Sequence, residues 1–207
     1  FAIQASGLAK RIEHVGSNGV VVGISGGLDS TLALLVSVSA MKLLGKNNSD
    51  ILGVTMPGFG TTDRTYQNAI DLMKSLGVTI KKISIKDACV LHMKDIEHDS
   101  LVKDITYENT QARERTQILF DLANKHGKLL VGTGDLSELA MGWCTYNGDH
   151  MSMYGVNASV PKTLVKYLVE YVANISDKKT ADILYDVLDT PVSPCLLYTS
   201  PSPRDGA

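Results

Sequence analysis

At 207 residues, with 44% hydrophobic and 20% charged residues and a formal net charge of −2, the chain has the make-up of one α/β domain with a sizeable core and no broad basic surface for nucleic acid. Its most apolar stretch, 32–41, is interrupted by Ser37 and Ser39 and falls short of a membrane span, so it reads as a core helix. Three cysteines, Cys89, Cys144 and Cys195, stand far apart with no C-x-x-C pair, which argues against structural zinc and for a reducing, cytoplasmic compartment.

The chain opens at Phe1 without a basic-then-apolar leader, so a secretory signal is not expected and the natural start is expected upstream. Val20 to Ile24 is the first predicted strand, followed by a helix over 31–44 that Gly45 closes. A second strand, 51–56, runs into the loop Pro57 to Asp63 and a helix to about Leu76. A third strand covers 78–85, and 88–96 is a short helix. Tyr107 to His126 has helical spacing, with Arg113 and Arg115 on its polar face, and Gly127 ends it. Leu129 to Gly132 is a fourth strand leading to a second glycine turn and helix. The polar stretch 142–157 is too long for a tight connection and reads as a functional loop. Helices from Pro161 to about Asn174 and over 180–188 complete the pattern.

Alternating strands and helices predict a doubly wound, mostly parallel sheet with helices on both faces. Residues 1–194 are read as one domain. The segment 195–207 reads as the translation of a transposase adapter used in sequencing libraries, a non-native tail, with a Ser/Pro-rich linker as the alternative.

The chemistry is concentrated after the first strand, in Ser25-Gly26-Gly27-Leu28-Asp29-Ser30. Two glycines allow a tight turn that brings amides close to an anion, the following helix start adds partial positive charge, and two hydroxyls add donors. Asp29 would repel phosphate unless a divalent cation lay between them, so it predicts magnesium. The lysine of the G-x-x-x-x-G-K-[ST] loop and the G-x-G-x-x-G fingerprint are both missing, which disfavours a kinase or a simple dinucleotide reader. Ligands in open parallel sheets sit beyond the carboxyl ends of the strands. The loops after Ile24, Met56 and Gly132 are therefore expected at one rim, with Asp29 and Glu138 in reach of one metal ion. Taken alone, Glu138 reads more readily as a solvated first-turn acid favouring its helix dipole, and its place after the second glycine turn shifts the reading toward metal.

The Ser-Gly-Gly-x-Asp-Ser run resembles the pyrophosphate loop of ATP pyrophosphatases, which cleave ATP to AMP and pyrophosphate. Three further segments are similar to those of NAD synthetases: Glu108-Asn109-Thr110-Gln111-Ala112-Arg113-Glu114-Arg115; Gly132 to Trp143 with Thr145, Tyr146, Gly148 and Asp149; and Val160-Pro161-Lys162-Thr163. The wording of 132–143 is closer to the long, glutamine-dependent form. This resemblance implies an adenine nucleotide alpha hydrolase-like fold and ATP-dependent amidation of deamido-NAD through an acyl-adenylate, with ATP as co-substrate and Mg²⁺ as cofactor. It also implies a homo-oligomer and, in a full-length chain, a glutaminase domain supplying ammonia, of which no match is found in this sequence. By the same resemblance Ser25, Gly26, Gly27, Asp29, Ser30, Thr133, Lys162 and Ser193 contact ATP, Asp29 and Glu138 hold magnesium, and Arg113 and Asp149 meet deamido-NAD. In isolation Arg113 and Lys162 read as solvated helix charges and Asp149 as a turn residue. Trp143 and Tyr146 are read as packing residues, with lining of the dinucleotide pocket as the alternative, and the five histidines show no metal spacing. The rival readings are another adenylating ligase or thiolase with the same loop, and a non-catalytic adenine-nucleotide-binding module.

Overall fold

The computed structural model describes residues 1–59 and 63–190. The assignments to Ser193 and to 195–207 lie outside the described residues. In chain order the elements are α1 (Ala2–His14), β1 (Val20–Gly23), α2 (Leu28–Leu43), β2 (Ile51–Thr55), α3 (Asp63–Ser75), β3 (Thr79–Lys82), α4 (Lys86–Asp95), α5 (Ile105–His126), β4 (Leu129–Gly132), α6 (Leu136–Met141), β5 (Tyr154–Gly155), α7 (Lys162–Ile175) and α8 (Lys178–Asp189). The strands form one sheet in the order β3-β2-β1-β4-β5, with every pairing parallel.

Alternation along the central strands separates two cores. Val20, Val22 and Ile24, with Leu129 and Val131, face α1, α2, α3, α7 and α8. Val21, Leu52, Val54 and Leu130 face the opposite side, where α4 and α5 supply Cys89, Met93, Tyr107 and Leu122. Both faces of the sheet are thus covered, which is why the central strands are near-continuous runs of Val, Leu and Ile. Helix α2 is buried from Ser30 to Ser37, as its apolar sequence predicts, and lies between α1 and α7. Among the described residues no helix is long and apolar enough to cross a membrane. Cys89 is buried and burial pushes its thiol up to about 11, with Glu114 adding to the rise and Arg115 opposing it, which marks it as a core residue and not a reactive one.

Three elements depart from the sequence reading. Helix α1 precedes the first predicted strand and packs on α2 and on β5, where Gly7 comes so close to Tyr154 that a Cβ would press on its hydroxyl. Strand β5 lies inside the polar stretch read as loop and adds an edge to the sheet beside β4. The predicted third strand is shorter than 78–85. Its exposed Lys81 and Lys82 suit a sheet edge, where charge discourages pairing with another chain.

What matters for the site is the strand order. The chain winds outward from β1 through β2 to β3, then returns to place β4 on the other side of β1. The strand order thus reverses between β1 and β4, and in such a sheet the ligand crevice lies outside the carboxyl ends of these two neighbouring strands. The two glycine turns found in the sequence open onto it.

Candidate active site

The first turn needs glycine at Gly26 on two counts. Its φ of 88° is left-handed, and a Cβ there would overlap the carbonyl oxygen of Thr65 in α3. The hydroxyls then close the turn on itself. Ser30 Oγ accepts the Ser25 N–H at 3.3 Å and donates to the Gly27 carbonyl at 3.1 Å, while Ser25 Oγ accepts the Gly27 N–H at 3.3 Å. The two hydroxyls lie 3.1 Å apart. This compact turn sits at the amino end of the 16-residue α2, where unpaired amides and the helix dipole favour negative charge.

The second turn is built from acids. Asp135 caps α6 by accepting the Glu138 N–H at 2.9 Å, and Glu138 Oε2 accepts the Asp135 N–H at 3.2 Å, a reciprocal capping box. Glu138 is therefore the helix-start acid of the plainer reading, yet its second oxygen remains for other work. Glu138 Oε1 faces Lys162 Nζ at 3.4 Å.

Lys162 arrives from a third element. It is the first residue of α7, with Pro161 one place earlier than the sequence reading put it, as the cap and not within the first turn. Its N–H donates to Ser137 Oγ at 3.0 Å and the Leu136 N–H donates to the Val160 carbonyl at 3.0 Å, which fixes the start of α7 to the second turn. Its ammonium donates to the Asp29 carboxylate and lies 3.2 Å from Asp135 Oδ2.

Asp29, Asp135 and Glu138 each present a carboxylate oxygen, all within 4.8 Å of one another. Asp135 is 0% exposed. Three carboxylates against one ammonium leave two negative charges uncompensated in a half-buried pocket. Burial pushes the Asp29 carboxyl above its usual value despite the bond from Lys162. Burial likewise raises Glu138, with Lys162 pulling the other way and Asp29 and Asp135 adding to the rise. For Lys162 burial acts to lower the ammonium, but the Asp29 hydrogen bond and the attraction of Asp29 and Glu138 outweigh it, so it is held firmly protonated.

A hard divalent cation fits this donor set. Asp29 Oδ1 is buried and accepts no hydrogen bond, and Asp135 Oδ2 faces the Lys162 ammonium without a well-directed one. Buried carboxylate oxygens left in this state are costly unless a charge completes them, and all-oxygen ligation suits magnesium.

Of the residues expected at the site, Ser25, Gly26, Gly27, Asp29, Ser30, Thr133, Glu138 and Lys162 come together around the crevice. Thr133 contributes its carbonyl to a hydrogen bond from Asn157. Arg113 and Asp149 are engaged away from the acids. Arg113 Nε donates to the Tyr146 carbonyl at 3.1 Å, and Asp149 lies 3.4 Å from Arg115 Nη2. Both arginines of α5 thus hold the 142–150 segment, in which Tyr146 and Asn147 have left-handed backbone. Trp143 departs from the packing expectation: it is 37% exposed and lines a cavity of about 130 Å³ together with Glu138, Cys144 and His150. The residue missed from the sequence is Asp135. Its signal was an acid three places before Glu138 at a helix start, the capping-box spacing.

The sequence pattern of the NAD synthase family matches residues 2–181. The glutamine-dependent NAD(+) synthetase of Mycobacterium leprae is 47% identical over all of this chain, which spans 31% of that protein's length. The NH(3)-dependent NAD(+) synthetase of Pyrobaculum aerophilum is 37% identical over 69% of the chain and 51% of its own length. Among solved structures, the glutamine-dependent NAD+ synthetase of Acinetobacter baumannii in complex with ADP superposes with a TM-score of 0.82 at 30% identity, over 92% of this chain and 35% of that one. The chain spans about a third of the glutamine-dependent relatives it matches.

Proposed function

The chain belongs to the NAD synthase family, and we propose that it is the amide-forming domain of an NAD synthetase, converting deamido-NAD to NAD at the expense of ATP. The observation that carries this reading is the meeting of Asp29, Asp135, Glu138 and Lys162, from three separate elements, at the switch point of the sheet. The ADP complex of the Acinetobacter baumannii relative supports an adenine nucleotide in the same fold. The domain is taken to extend over 1–194. Ammonia comes from a glutaminase domain of the full-length protein or from free ammonium.

A carboxylate resists ammonia because it is negative and its leaving group would be oxide. In the proposed reaction the nicotinate carboxylate attacks the α-phosphate of ATP, pyrophosphate leaves, and ammonia then displaces AMP from the acyl-adenylate. Ser25, Gly26, Gly27 and Ser30 hold the phosphates with amides and hydroxyls at the start of α2. Asp29, Asp135 and Glu138 hold Mg²⁺, which when bound neutralises phosphate charge and the departing pyrophosphate. Lys162, kept protonated by its acids, turns its ammonium toward the same leaving group. Asp149 and Arg113 orient deamido-NAD from the 142–150 side. No covalent nucleophile is required, so the rate comes from positioning and charge stabilisation.

The test is to give the full-length protein magnesium, ATP, ammonium and deamido-NAD and to follow nucleotides by chromatography. NAD and AMP are expected in equal amounts. ADP in place of AMP overturns the reading, because it places cleavage at the wrong phosphate.

A further inference from the structure

The two turns do not touch through their catalytic side chains alone. Asn157, which ends the polar stretch before α7, is 0% exposed. Its amide nitrogen donates to the backbone carbonyl of Asp29 at 3.1 Å and to that of Thr133 at 3.0 Å. Its Oδ1 accepts from Gln4 Nε2 at 3.1 Å, and Gln4 also donates to the neighbouring Val156 carbonyl at 2.9 Å. One side chain therefore ties the phosphate-side turn after β1, the acid-bearing turn after β4 and helix α1 to a single buried point.

The consequence is geometric. Asp29 carries one of the three clustered carboxylates on the residue whose carbonyl Asn157 grips. Thr133 stands two places before Asp135, the cap that aims Glu138. Neither turn is joined to the other by covalent neighbourhood, and the direct link between the acids and Lys162 is an attraction among charges that a bound cation and phosphates would rearrange. A fully buried amide with both its protons donated has no such freedom, because breaking either bond leaves a buried carbonyl or N–H without a partner. We infer that Asn157, oriented by Gln4, is the positioning residue that sets the distance between the two turns and so prepares the cluster for a cation and a nucleotide. Fully buried, it offers no surface to either ligand, so its effect passes through Asp29 and Asp135. The same argument gives α1 a role beyond covering α2, since Gln4 fixes which way the Asn157 amide faces.

This inference rests on the metal and ATP site proposed above but not on deamido-NAD being the substrate. The measurement is Mn²⁺ binding in the presence of ATP, followed by the electron paramagnetic resonance of free Mn²⁺, in full-length wild type, Asn157→Ala and Gln4→Leu. Asn157→Ala is expected to weaken binding about tenfold to a hundredfold, as two buried carbonyls lose their donor. Gln4→Leu is expected to weaken it less, by about threefold, because both donated bonds survive while the amide loses its anchor. In turnover assays the KM for ATP rises and kcat falls while the KM for ammonium stays put. Wild-type Mn²⁺·ATP affinity in a folded Asn157→Ala protein, even one of lowered thermal stability, overturns the inference. If Asn157→Ala does not fold, Asn157→Asp and Gln4→Leu decide it by the same readout, and wild-type affinity in both overturns it. Weakened Mn²⁺·ATP binding in a protein that makes no NAD supports the positioning role while sinking the substrate assignment, so the two failures are distinct.

Discussion

The turns after β1 and β4 occupy equivalent places on either side of the switch point, and each carries a glycine turn into a helix, yet they are built for opposite charges. The first is closed by two serine hydroxyls, demands glycine at Gly26 and opens a helix of 16 residues. The second is closed by two carboxylates, tolerates ordinary backbone at Gly134 and opens a helix of six. A long helix start with neutral donors suits an anion. A short helix whose cap is itself acidic suits a cation. One topological position, used twice, can thus supply both partners of a metal–phosphate pair, and local side-chain chemistry decides which.

The largest effect expected from breaking this division is at the charges shared between the turns. Asp29→Ala and Lys162→Ala should each lower kcat by about 10²–10³-fold with the fold retained in circular dichroism, since each removes a group aimed at developing or transferred charge. Retained Mg²⁺-dependent ATP binding with near-normal turnover in Asp29→Ala would remove Asp29 from the site.

The next effect separates the turns by backbone alone. Gly26→Ala should cost about 2–3 kcal/mol of stability in chemical denaturation, from left-handed strain and overlap with the Thr65 carbonyl. Gly134→Ala, with a Cβ only in ordinary contact with Glu138 Oε2, should stay within about 0.5 kcal/mol. Equal costs at the two glycines would contradict the contrast.

Smaller still is the helix cap. Asp135→Ala should lower stability by about 1 kcal/mol through the lost N-cap and, more tellingly, weaken metal binding. Asp135→Asn keeps the cap and loses the charge, so it should spare stability and still weaken Mn²⁺ binding in a titration.

The mildest test is pH. Burial raises Asp29 and Glu138, so both take up protons at higher pH than free carboxyls do. Because their folded values lie above the unfolded ones, ionising them at neutral pH costs the cation-free fold stability. That cost disappears as pH falls through the raised values. Metal binding runs the other way, since it needs both acids ionised. Acidification should therefore stabilise the cation-free protein slightly in thermal melts while kcat/KM for ATP is lost. Lys162 stays protonated on the alkaline side, so no loss on that limb is expected from it.

Much of the crevice was legible in the sequence because each turn announces itself locally. An apolar strand, glycines and a polar helix start fall within a dozen residues, and the alternation of such units predicts the parallel sheet. Asp135 was hidden because the same capping pattern serves any helix. Helix α1 was hidden for the opposite reason: it has no side-chain cap and no acid in its first turn, and Gly7 lowers its intrinsic helix propensity. The two residues of β5 are too few to show a period inside a polar stretch. The roles of Asn157 and Arg115 rest on partners 128 and 34 residues away, a separation over which no local rule operates.

Lys162 and Asp29, the pair at the heart of the cluster, are 133 positions apart in the chain. Until α7 has been synthesised and has docked, the first turn is a neutral-donor loop with an unneutralised acid beside it, ill suited to holding a nucleotide. A contact of such range gains its energy only once the loop-closure entropy of bringing its ends together has been met. ATP can therefore reward only the finished tertiary arrangement, and nucleotide-dependent protection against proteolysis should arise in one step at the end of refolding and not grow gradually with helix content.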